Sequence, residues 1–444
     1  MVPIPAGRIM TPSGGPFHSP RGRNRAVRSI SLSSIRAFPR GKSNGMEFPF
    51  VPRLSFHYNC LQYDLMNQGI RVFPKDSHLP SNTPKMTPMM RQYMHIKETV
   101  GDAILMVRIG DFYEMLGDDA LTGSRILDIT LTKKSIGKGE TVPLAGVPYH
   151  SVQPYIRKLT LEGYRVAICE QTSEPEKGKK IVDREVVRTI TPGTLIDADA
   201  LGDTANNYLA AVFDGNFRGF GLAFTDISTG EFRTTVLKGD SALEDLRAEF
   251  LKIAPSECLL PEGLPESSSL RVMVEKDLRI VTSPRPLESF NADAVTARGL
   301  SVQRLEEEEQ QAVEDMGLDG QLTLGLRAAG GVLNYLKETQ KRDLSHLQVL
   351  DVYRASSFMA LDSATSRNLE LLQSIRGGGK RGTLLSVIDK TLTPMGARLL
   401  KTWLVRPLTR KKEIDRRLHA VQARVSDSFL RQDLRQLLRE VSDL

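Results

Sequence analysis

The sequence predicts a multidomain α/β protein whose C-terminal part is helical. Three observations carry that reading: short apolar runs alternate with helix-period segments in the first half, three hairpin-joined strands follow from residue 208, and from residue 322 the apolar period settles at 3.6. The length of 444 residues suits roughly two to four separately cored domains. Shifts in composition place them at 86–200, 201–315 and 316–444, behind an extension at 1–85.

The extension carries most of the charge. It holds 12 Lys and Arg against three acids, a balance of +9, which leaves −2 for residues 86–444 out of a total of +7. Any affinity for a polyanion must therefore come from local patches of the body and not from its global field. Rich in Arg, Ser, Pro and Gly and without a sustained apolar period, 1–85 is expected to be disordered. Its acid-poor character fits an organelle transit peptide in principle, but no basic amphipathic helix is written into it. A start codon assigned too early, with Met86 as the working initiator, is the preferred explanation; a basic arm adding nonspecific affinity for nucleic acid is the third. Cys60, Cys169 and Cys258 lack CxxC spacing, which argues for a reducing compartment and against a zinc site. No apolar run approaches a membrane span.

Thr87-Pro88 opens a helix with Met90, Tyr93 and Met94 on one face. Residues 103–109, apolar except for Arg108, read as a strand buried on both faces and ended by Gly110. Phe112 and Glu114 follow with one residue between them, so an extended backbone points both side chains the same way. The bland reading makes Phe112 core and Glu114 a solvated turn residue, and for a bare Phe-x-Glu it outweighs the sharp one. The sharp reading is a wedge and an acceptor. A ring pushed between base steps kinks a duplex at a cost of about a few kcal/mol per step, less where pairing is faulty. A carboxylate is the wrong charge for phosphates, so near DNA it must accept a hydrogen bond from a base edge or be protonated.

Asp118 begins a helix, 129–132 reads as a short strand, and Lys133, Lys134 and Lys138 sit among glycines in what reads as a loop. A solvated loop is the usual meaning of such a cluster; beside a wedge, contacts to phosphate by Lys133 and Lys134 are the alternative. Residues 143–148 read as a turn-rich connection, 151–162 as a helix, 164–169 as a second buried strand, and 186–190 as a strand leading into Thr191-Pro-Gly-Thr194. His150 is expected to be a hydrogen-bonded structural histidine. Arg184 and Arg188 face either DNA or acids.

In chain order, Thr87-Pro-Met-Met-Arg-Gln-Tyr93, Gly110-Asp-Phe-Tyr-Glu114, Leu144-Ala-Gly-Val-Pro-Tyr-His150, Ala167-Ile-Cys-Glu-Gln171 and Arg188-Thr-Ile-Thr-Pro-Gly-Thr194 resemble the bacterial MutS family of DNA mismatch-repair proteins. The resemblance runs from about Met86 to Leu444. It implies a mismatch-recognition domain at 86–200, in which Phe112 stacks on the mispaired base and Glu114 bonds to it. It also implies a bacterial, cytoplasmic setting, mismatched double-stranded DNA as ligand, MutL as a partner of the second domain, and a homodimer in the full-length family.

In the second domain, strands at 208–213, 217–224 and 232–236, a helix at 241–252 and a strand at 258–260 resemble a ribonuclease-H-like topology, which is also that of the family's connector domain. A nuclease would need clustered carboxylates for two metal ions. Asp214 and Asp226 are candidates, but no third or fourth partner is evident. Glu306 to Gln311 reads as a solvated helical linker. In the third domain Leu322, Leu326, Ala329, Leu333 and Leu336 mark one face of a long helix with Gly330-Gly331 as a packing site. Thr393 to Leu404 resembles the family's α-helical lever domain, with Trp403 as packed core.

A phosphate loop needs Gly, four residues, then Gly-Lys-Ser/Thr. Gly379-Lys380 is followed by Arg381, and Gly41-Lys42-Ser43 has Arg36 in the first-Gly position. Neither qualifies, so no enzyme activity and no cofactor are expected of these 444 residues, whereas the full-length family uses ATP and magnesium. The rival expectation is a structural or interaction fragment that binds DNA only weakly and nonspecifically.

Overall fold

The computed structural model describes residues 87–137, 140–172, 182–196, 206–216, 219–304, 322–341, 344–359, 361–376 and 379–441. The expectations for 1–85, for Lys138 and for the linker at 306–311 lie outside these residues. The chain is a multidomain α/β protein with two mixed sheets and a helical C-terminal part.

The first sheet comprises β1 (Ile104–Ile109), β2 (Phe112–Leu116), β3 (Thr132–Gly137), β4 (Glu140–Pro148), β5 (Val166–Gln171) and β6 (Arg184–Ile190), in the order β3-β4-β2-β1-β5-β6. Only β1 and β5 pair in parallel. Helix α1 (Pro88–Val100) is capped by Thr87, whose hydroxyl accepts the Met90 N–H, and it lays Met90, Tyr93 and Ile96 on Leu105, Val107, Leu116 and Val142. Helices α2 (Asp118–Leu127) and α3 (Gln153–Leu161) cover the opposite face, burying Ala120, Ile156 and Leu159 with Met106, Met115 and Ala145. Buried Asp119 ties the layers together, accepting from Lys97 Nζ at 2.8 Å and from the Leu105 N–H at 2.9 Å.

Two expectations fail here. Residues 143–148, read as a turn because of Pro143, Gly146 and Pro148, belong to β4, which pairs with β2 on one side and β3 on the other. Lys133 and Lys134, expected in a loop, lie on β3. In both places the interstrand ladder overrides a local composition that favours turns.

The second sheet has β7 (Leu209–Asp214), β8 (Phe220–Asp226), β9 (Glu231–Leu237), β10 (Glu257–Pro261), β11 (Val281–Arg285), β12 (Ser301–Arg304) and β13 (Val349–Val352), ordered β11-β10-β7-β8-β9-β13-β12. Strands β7 to β9 form an antiparallel meander and the rest add in parallel. Helix α4 (Ala242–Ile253) covers one face, and α5 (Leu322–Gln340) the other. Helix α5, read from the sequence as the start of the third domain, packs on this sheet: Leu324, Ala328, Val332 and Leu336 are part of its core. Gly330 and Gly331 do serve as a packing site, since an added Cβ would stand 1.9 Å from the Asn291 carbonyl at Gly330 and 2.8 Å from the Phe290 ring at Gly331.

Two buried glutamates hold neighbouring parts to this domain. Glu257 of β10 accepts from Ser283 and Tyr335 on one oxygen, and from Thr191 Oγ and the Gly193 N–H on the other. Glu249 of α4 accepts from Lys252, Tyr353 and Arg406. Arg406 follows α6 (Pro394–Val405), which leads to α7 (Lys411–Ser426) and α8 (Ser428–Leu438). Trp403, expected in the core, is 38% exposed and lies under the Arg417 guanidinium, 4.0 Å from the ring centre.

Candidate nucleic-acid interface

Strands β1 and β2 form a hairpin closed by Gly110-Asp111, with Ile109 opposite Phe112. Gly110 has φ +58°, a conformation costly for any residue with a Cβ. Phe112 thus opens the returning strand, one step beyond the strand exit that the sequence suggested. Alternation along β2 then puts Phe112, Glu114 and Leu116 on one face and Tyr113 and Met115 on the other. Leu116 is buried against α1, whereas Phe112, further along the same face, is 49% exposed. Phe112 is therefore not core.

Gly146 stands opposite Glu114, and Pro148 opposite Phe112, on β4. Gly146 lies between the two side chains: a Cβ added there would stand 3.8 Å from both the Phe112 ring and the Glu114 Cγ, so its absence leaves room for both. Glu114 is not solitary: its Oε2 pairs with Lys134 Nζ, both side chains being partly buried. Lys133 lies on the other face of β3, exposed. The two lysines expected to act together are separated by the strand's period, and Lys134 is committed to an acid of the same site.

Sequence reasoning missed two contributors at the hairpin tip. Tyr149 is exposed beside Pro148, and its N–H donates to the Asp111 carbonyl at 3.0 Å. Arg108 lays its guanidinium over the Tyr149 ring, 3.5 Å from the centroid, while Nε donates to the Gly110 carbonyl at 2.8 Å. The segment Pro148-Tyr149-His150 was the available signal, and only the fold brings it to Arg108. This puts a cation and two exposed aromatic rings at the hairpin tip, Arg108 standing opposite Tyr113 on the face away from Phe112 and 3.8 Å from the Glu170 carboxylate, a combination suited to phosphate and base contact. Tyr113, on the buried side, donates to Glu170, and burial followed by that acceptor pushes its phenol pKa up.

Other candidates are accounted for otherwise. His150 is exposed, edge-on to Tyr149. Arg184 donates to Gln92 and to the Arg108 and Val182 carbonyls, and Arg188 donates to Gln340 and the Thr194 carbonyl, so both brace the fold. Asp226 is a buried turn anchor that accepts from Asn206, Asn207 and Ser228, and Asp214 accepts from the Asn216 N–H. Among the described residues no helix is long and apolar enough to cross a membrane.

Comparison with known proteins adds an independent line. Family profiles described as MutS domain I, MutS domain II and MutS domain III match residues 87–199, 207–348 and 364–444. The chain is 44% identical over 372 residues to the DNA mismatch repair protein MutS of Desulfitobacterium hafniense, covering 84% of this chain and 40% of that protein. It is 42% identical over 365 residues to the protein of the same description from Alkaliphilus oremlandii, covering 81% and 40%, and 40% identical over 364 residues to that from Methanococcoides burtonii, with the same shares. The chain thus spans about 40% of the length of these curated relatives.

Proposed function

The chain belongs to the MutS family, and from that premise we propose that it binds duplex DNA at a mispair or small loop in the service of mismatch repair. Phe112 is the wedge and Glu114 the acceptor for the displaced base. The observation that carries this reading is the half-exposed ring of Phe112 on the same open face as a carboxylate, in a sheet whose neighbouring apolar side chains are buried. A ring placed there gains stacking worth about 1–3 kcal/mol per base. A step weakened by mispairing charges less for insertion than a sound one, so the difference becomes selectivity. Arg108 adds a cation at the tip, partly balanced by Glu170 at 3.8 Å.

The test is titration of a G·T duplex and its matched counterpart at one stated salt concentration. For Phe112→Ala, affinity for the G·T duplex is expected to fall roughly 5- to 150-fold, toward the matched level. Equal affinities before and after substitution would remove the wedge.

The order β11-β10-β7-β8-β9, a meander with two parallel strands added beside β7, supports a ribonuclease-H-like reading of the second domain. We place its end between 348 and 364, where the matched segments part. MutL and a second copy are the protein partners inferred from the family, and ATP with magnesium the cofactors of its longer members. No Gly-Lys pair in the sequence completes a phosphate loop, which supports DNA binding, not nucleotide hydrolysis, as the role of these 444 residues. The open apolar faces of α7 and α8 favour a second reading, a fragment that binds DNA weakly on its own; matched and mismatched duplex titrating alike would establish it.

A further inference from the structure

Resting on the wedge reading above, we propose that Lys134 is the counter-ion of Glu114: a positioning residue that aims the carboxylate and cancels its charge as the duplex arrives, and not a phosphate contact. The two residues come from different strands separated by β4, with Glu114 opposite Gly146 and Lys134 opposite Val142. Lys134 therefore reaches along the sheet to close the pair. Their side chains are 26% and 17% exposed, so the pair is more shielded from solvent screening than a fully exposed one.

The chemistry favours retention of the pair on DNA. A lone carboxylate brought into a groove lined with phosphates is repelled and loses its water. With an ammonium on Oε2, the site is neutral overall, and no described residue engages Oε1, which is left to accept an N–H from a base edge. Lys133 provides the internal contrast, being one residue away, equally charged, exposed and on the opposite face. If either lysine acts as a simple phosphate contact, it is Lys133.

A double-mutant cycle tests the assignment. In the background retaining Glu114, Lys134→Gln is expected to weaken G·T binding about tenfold; in a Glu114→Ala background the same change should cost less than about twofold. The slope of log affinity against log salt should be unchanged by Lys134→Gln, whereas loss of a phosphate contact lowers it by about one. An equal loss in both backgrounds, or the same loss on matched duplex, overturns the proposal. Phe112→Ala in the same assay keeps the two readings apart, since it can abolish mismatch preference whatever the lysine does. A measurement without DNA covers the case of weak binding. In the free protein Glu114→Gln should raise the rate at which Lys134 is acylated by acetic anhydride, with Lys133 unchanged; an unaltered Lys134 rate overturns the pair.

Discussion

A thiol taken out of water resists ionisation, and the thiolate is the reactive form. Cys169 and Cys258 are fully buried; burial pushes the Cys169 thiol up to about 11 and Cys258 higher still. In a Cys60→Ser variant, neither should react with Ellman's reagent at pH 8 until denaturant is added, and rapid reaction of either in the folded state would contradict the burial described. The absence of CxxC spacing had pointed only to a reducing compartment and away from a zinc site; the burial of the two thiols is a property of the fold. That Phe112 and Glu114 share one face was legible, because a period of two is a property of any strand and needs no tertiary information. The Lys134–Glu114 pair was not, since it depends on which strands adjoin β4 and in what register. Arg108 and Tyr149 were hidden for the same reason, 41 positions apart in the chain and in contact only through the hairpin tip.

Helix α5 shows what periodicity conveys and what it leaves open. Its length, its glycine pair and three residues of its buried stripe, Ala329, Leu333 and Leu336, followed from the sequence; Leu324, Ala328 and Val332 did not, and an amphipathic pattern does not name its partner, here the second sheet. Replacement of Gly330 by Ala sets two effects against each other. Helix propensity would gain about 1 kcal/mol, but the methyl would meet the Asn291 carbonyl, a backbone atom without a soft way to yield. Overpacking of this kind costs about 1–3 kcal/mol or more, so Gly330→Ala is expected to lower the urea midpoint; an unchanged or raised midpoint would show that the loop at 291 gives way. Strand β4 carries the complementary lesson. Its prolines sit at positions that leave pairing with β2 and β3 intact, so two prolines and a glycine marked a strand as a turn.

At the scale of the molecule, the second domain is a hub that grips its neighbours through buried carboxylates, Glu257 toward the first domain and Glu249 toward the helical part. Neither joint was readable, because a single glutamate in an apolar run has no sequence mark that separates a satisfied acceptor from a strand-edge charge. The helical part is different in character. Ile414, Leu418, Val421 and Val425 recur at spacings of four and three along α7, and all are exposed. Such a stripe binds apolar dyes and promotes association. Leu418→Glu with Val425→Glu is expected to reduce anilinonaphthalene sulfonate fluorescence without lowering the melting temperature, and a marked loss of melting temperature would mean the stripe is packed. Trp403 lies beside this region and is the sole tryptophan of the sequence. Its indole emission is consequently a private optical channel: excitation near 295 nm reports wetting and quenching at the helical end alone. That leaves the β1–β2 hairpin tip without an indole, so the duplex binding proposed there is to be followed through labelled oligonucleotide instead.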